Sequence, residues 1–146
     1  MKKKGNYLDK TEFLNLILKY QELGEEGISN KDKNKLGKMI ISLVNHIAMR
    51  PNFSNYSYLE EMKSNAIITV WKGLKSFNIE KTNNAFSYFT TAVMHAFIFI
   101  INKEKTLAEK RNNFAQDLIE RINLKDEYRF AKKRFTQEIK EKNSNY

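Results

Sequence analysis

Tyr88, Thr91, His95, Phe99 and Asn102 recur every three or four residues with Lys103 beside them, so at 100° per residue they share one side of a helix. Rings, a hydroxyl, an imidazole, an amide and an ammonium along one face suit nucleic acid, because bases stack on rings while lysines meet phosphates. A second set lies one helix earlier. Glu61, Ser64, Asn65, Ile68, Trp71 and Lys72 occupy the arc opposite that helix's apolar side, which places an Ile and the only Trp among polar groups. An aromatic anchor inside a polar rim is the composition of a protein-binding surface. Two competing expectations stand beside these. The N-terminal helix or the tail would cover the Trp71 face, and a central helix apolar all round would have its Tyr88 face buried by the tail.

Nothing in the residue types points to catalysis. The two histidines, His46 and His95, fall on different helices with no carboxylate at ligand spacing. Glu60 and Glu61 are adjacent and point to different sides, a poor acid and base pair. The chain has no Cys, so thiol nucleophiles, thiolate metal sites and disulfides are excluded. The expectation is a protein that catalyses no reaction and needs no cofactor.

The elements that must position these faces are helices. Asp9 or Thr11 can cap a first helix with Phe13, Leu14, Ile17 and Leu18 at helical spacing, ended by Gly24 and Gly27. Leu36, Ile40, Leu43, Val44, Ile47 and Ala48 form one stripe of a second helix, stopped by Pro51. A third helix is predicted from about Tyr56 to Phe77, burying Leu59, Met62, Ala66, Val70, Gly73, Leu74 and Phe77. A polar connector leads to a fourth, from about Ala85 to Leu107, burying Phe86, Phe89, Val93, Ala96, Phe97, Ile100 and Ile101. After Glu109 the pattern weakens, and Tyr128 to Lys142 reads as a charged, loosely attached helical tail.

With one Pro and five Gly in 146 residues, few helix breakers remain, and the predicted class is all-α. The expected division is an N-terminal helix over 1–30, a compact helical domain over 31–108 and a basic helical tail over 109–146. A net charge of +9 favours a polyanionic partner or an acidic protein surface, against the plainer reading of scattered lysines with no partner. The basic start MKKKG is followed by no apolar stretch of signal-peptide length, and the longest apolar run, Ala96 to Ile101, is too short to span a bilayer. A soluble, cytoplasmic protein without membrane contact is expected.

The order and spacing of Pro51-Asn52-Phe53-Ser54-Asn55-Tyr56, of Glu61-Met62, of Lys72-Gly73-Leu74 with Ser76-Phe77, and of Tyr88 through Lys105 resemble region two of bacterial RNA polymerase sigma factors. Within that family the similarity is to the late-transcription sigma factors of T-even-type bacteriophages. It runs from about Asn34 to Lys105 and extends faintly to Asn6-Tyr7 and the first helix. The resemblance implies a sigma region-two-like domain, acting in an infected bacterial host, that binds core RNA polymerase and directs it to short AT-rich, TATA-like late promoters. It implies that the third helix docks on the clamp coiled coil of the largest polymerase subunit through Glu61, Ser64, Asn65, Ile68, Trp71 and Lys72. It also implies that the fourth helix opens promoter DNA by stacking a flipped, single-stranded base on Phe89, with Tyr88 beside it. Ala92, His95, Phe99, Asn102, Lys103 and Lys105 complete that DNA side, and phage coactivators are implied as further partners.

The chain also departs from the family. Ala92 and Val93 stand where primary sigma factors carry a tryptophan pair, His95 and Ala96 where the wider family has Arg and Gln, and Ile100 replaces a basic residue. Asn65 replaces an acid and Ser64 a longer amide. No counterpart of the region-four helix-turn-helix is visible, and the ending RFTQEIKEKNSNY lacks the acidic-hydrophobic motif that would imply a sliding clamp. Periodicity and resemblance disagree on Phe89, which the first buries and the second exposes. Two other readings remain: a phage regulator that occupies the clamp coiled coil and inhibits host transcription, and a generic basic helical DNA-binding protein.

Overall fold

A computed structural model describes residues 7–144; the basic start and Asn6 lie outside the described residues. Helices are the only regular elements among them, in the order α1 Lys10–Gly27, α2 Asn30–Ala48, α3 Pro51–Ser54, α4 Leu59–Gly73, a 3-10 turn Leu74–Ser76 and α5 Ala85–Ser144. The protein is all-α. It divides into two compact units, Met1–Asn102 and Lys103–Tyr146.

In the first unit, local chemistry starts the helices where the sequence places them. The Asp9 carboxylate accepts from the backbone N–H groups of Thr11 and Glu12 at 3.0 and 3.1 Å, and Ser29 Oγ accepts from Asp32 N–H at 3.2 Å. Gly24 breaks α1 with φ +74°, a conformation open to Gly at little steric cost, and Ile28 N–H closes back on its carbonyl at 3.1 Å. Pro51 both stops α2 and opens α3, whose first turn needs no N–H from it. Asn84 Oδ1 accepts from Ser87 N–H at 3.0 Å at the start of α5.

The core is built from one face of each helix. All six stripe residues of α2 are buried, as are Met62, Ala66, Val70, Leu74 and Phe77 after it, and Phe89, Val93, Ala96, Phe97, Ile100 and Ile101 of α5. Leu59, Gly73 and Phe86, predicted as core, are half-buried. On α1 the buried set is Phe13, Leu16, Ile17 and Tyr20, while Leu14 and Leu18 are half-buried. The inward face of α1 is thus rotated from the predicted one, because Tyr20 packs on Trp71 with ring centroids 5.4 Å apart. Ring pairs knit α5 to the rest: Phe13 with Phe89 at 6.0 Å, Phe53 with Phe97 at 5.1 Å and Phe77 with Phe89 at 5.7 Å. Gln21 Nε2 donates to the carbonyls of both Leu74 and Phe77 at 2.7 Å, satisfying acceptors that the end of α4 leaves without helical partners. Ion pairs of Lys19 with Asp32 and of Lys35 with Glu12 clasp α1 to α2.

Two predicted boundaries differ. The third helix is shorter than expected, Leu59–Gly73, because the chain tightens into a 3-10 turn after Gly73. The fourth is far longer, ending at Ser144 rather than near Leu107, since no Gly or Pro follows Gly73 to stop it. By length and composition α5 contains a stretch apolar enough to cross a membrane, 39% of it buried. The second unit is the remainder of this helix, Lys103 onward, and every residue from Leu118 to Ser144 in it is exposed.

Candidate functional site

The α4 residues split into three groups. Glu61, Ser64 and Lys72 are exposed at the surface, and Ile68, 53% exposed, is the large apolar side chain among them. Asn65 is half-buried and turns toward α5, its amide donating to the Ala96 carbonyl at 3.5 Å, while its own carbonyl accepts from Thr69 Oγ1 at 2.7 Å. Trp71 is half-buried under Tyr20. So α1 covers the Trp71 side of the face, as the competing expectation had it, and leaves the Ile68 side open. The anchor that a partner could bury is Ile68, rimmed by Ser64 and Lys72.

On α5 the periodic face is exposed along its length within the first unit. Tyr88 is 42% and Phe99 62% exposed, Thr91, His95 and Asn102 are exposed, and Ala92 is half-buried. Phe89 is 1% exposed, wedged among Phe13, Phe77 and Tyr88, so its ring belongs to the core and is closed to a stacking base. Tyr88 takes the outward place. Its ring is braced edge-on by Phe77 at 5.3 Å and Phe89 at 5.0 Å, which fixes its orientation and leaves a side to solvent. Lys103 and Lys105, assigned to the same side from sequence, belong to the second unit and are exposed there.

Beside Tyr88 lies a surface hollow of about 430 Å³ lined by Thr82, Ser87, Tyr88, Thr91, Ala92 and His95. Thr82 and Ser87 were not readable as site residues. The connector brings Thr82 there through a local turn, with Lys81 and Thr82 N–H both closing on the Asn78 carbonyl at 3.2 Å. Three hydroxyls, an imidazole and a phenol ring around one hollow can hydrogen-bond and stack a planar heterocycle, and the small Ala92 leaves the room for it. The electrostatics are mild. No Lys or Arg occurs from Ala85 to Asn102, so this face itself supplies aromatic surface and neutral polar groups but no fixed positive charge.

No protein-family model matches the chain, and no curated protein matches it in sequence. What the chain can do is therefore carried by its own residues and their placement.

Proposed function

We propose that the chain is a phage-type sigma factor that binds core RNA polymerase through α4 and presents the Tyr88 face of α5 to the unpaired strand of an AT-rich late promoter, catalysing nothing itself. The observation that carries the reading is the pairing of two outward faces on consecutive helices of one core: Ile68 in a polar rim on α4, and an oriented Tyr88 beside a hydroxyl-lined hollow on α5. Core polymerase would bury Ile68 and hold α5 against the DNA. A base leaving the duplex would stack on Tyr88, and stacking of about 1–3 kcal/mol per base offsets part of the unpairing. Run-off transcription with purified bacterial core enzyme on an AT-rich late-type promoter tests this. A defined start that depends on the chain supports it, and no start with any template, pre-melted templates included, removes it.

One observation favours a second reading. The absence of Lys and Arg over Ala85–Asn102 suits a protein that occupies the clamp coiled coil through α4 and blocks host transcription without touching DNA. That regulator would lower transcription by the host holoenzyme and give no start of its own.

A further inference from the structure

The second unit carries a charge arrangement that neither face of the first unit uses. At 100° per residue, Lys125, Arg129, Lys132, Lys133, Gln137 and Lys140 fall on one side of α5. All are exposed, and Arg129 is the one within reach of a carboxylate among the described residues, Asp126 at 4.0 Å. Glu120, Glu127, Glu138 and Glu141 fall on the opposite side with Arg134 among them, and Asp126, the partner of Arg129, is the one carboxylate that falls within the basic arc between Lys125 and Lys140. The helix is thus polarised across its axis. From Lys125 to Lys140 the cationic side runs along about 22 Å of helix at 1.5 Å per residue, the length over which a nucleic-acid backbone offers several phosphates.

We propose that this cationic side is a second nucleic-acid contact, gripping the phosphate backbone without regard to sequence and without need of polymerase. An anionic membrane fits the same lysines less well. The exposed stripe of Leu124, Tyr128, Phe135 and Ile139 lies between the basic and acidic sides, so a helix lying stripe-down in a bilayer would bring its glutamate row to the anionic headgroups along with its basic row, and repulsion would offset attraction. A phosphate backbone meets the basic side, where Asp126 is the single carboxylate, and leaves the glutamates in water on the far side. A second copy is disfavoured by the +9 charge that each chain carries.

The test is fluorescence anisotropy of a short mixed-sequence DNA duplex titrated with the full chain over a series of salt concentrations. The combined variant Lys132→Gln, Lys133→Gln, Lys140→Gln keeps good helix formers and removes three cations. Its slope of log K against log salt should fall by about 2.7, and its affinity at low salt by tenfold or more. The matching variant Glu127→Gln, Glu138→Gln, Glu141→Gln should bind as tightly as the parent or tighter, with both variants as helical as the parent by circular dichroism. Unchanged slope and affinity in the lysine variant would overturn the proposal, as would binding to phosphatidylserine vesicles with no binding to the duplex. Because neither polymerase nor promoter is present, the result stands apart from that of the transcription assay.

Discussion

Ile68 and Trp71 show how a face read from a helical wheel is divided by what packs beside it. Because Trp71 is half-buried on Tyr20, Trp71→Ala would remove packing as well as any contact with a partner, and its effect on binding would be confounded. Ile68 separates the two. Ile68→Asp, at a position 53% exposed, should shift stability by no more than about 0.5 kcal/mol while abolishing co-purification with core polymerase at moderate salt. Retained co-purification of a folded Ile68→Asp chain would remove α4 as the docking face. The neighbouring aromatics behave oppositely. Phe89→Ala empties a site in the core and should cost about 3–5 kcal/mol, read as a lowered midpoint in urea. Tyr88→Ala should cost far less stability and should impair transcription from duplex promoters more than from pre-melted ones. Equal loss on both templates would assign Tyr88 a structural role. The spacing of Tyr88, Thr91, His95 and Phe99 showed in the sequence that they share one face, but not that the face is open to solvent, because the same period also allowed a central helix buried all round. The hollow was not legible, since Thr82 reaches it through a turn in the connector that no periodicity describes.

At the scale of elements, α1 is held to its neighbours by polar contacts with distinct consequences. Gln21→Ala would leave the Leu74 and Phe77 carbonyls without their side-chain donor and should destabilise the first unit by about 1–3 kcal/mol, measurable by chemical unfolding. The clasp between α1 and α2 adds a dependence on pH. The hydrogen bond from Lys19 holds the Asp32 carboxyl below its ordinary value, so its contribution is present above the unfolded-state pKa and is lost as pH falls through the lowered folded-state pKa. Lys35 is raised by its bond to Glu12, so its contribution is present below the ordinary lysine value and lost as pH rises through the raised one. Stability of the parent should therefore decline in acid more steeply than that of Asp32→Asn, which unfolding at a series of pH values would show. A parallel decline of the two chains would mean that the Lys19 pair contributes nothing. The α2 stripe was wholly legible because all six of its apolar residues are buried, on a single face. The length of α5 was not, for a different reason. The hydrophobic pattern fades after Glu109 while nothing in the sequence stops the helix, and a fading pattern reports loss of burial rather than loss of helix.

For the molecule as a whole, burial is confined to one part of the chain. Every buried apolar residue among those described lies between Leu8 and Ile101, so the first unit holds a complete core, and the exposed helix beyond Leu118 adds nothing to it. A chain ending at Leu107 should consequently unfold in a single cooperative transition, with a thermal midpoint within a few degrees of the full-length protein, about the shift that 1 kcal/mol would cause. Its far-ultraviolet helix signal should fall in proportion to the residues removed, while the near-ultraviolet signal of Trp71 and the packed tyrosines stays as it was. The shortened chain also separates the two proposed activities. It should still co-purify with core polymerase through Ile68, whereas its affinity for duplex DNA in the absence of polymerase should drop along with the salt slope, because Lys125, Arg129, Lys132, Lys133 and Lys140 are gone. Loss of the cooperative transition on truncation would show that the long helix is required for the core, and would reassign its exposed aromatic residues from binding to folding.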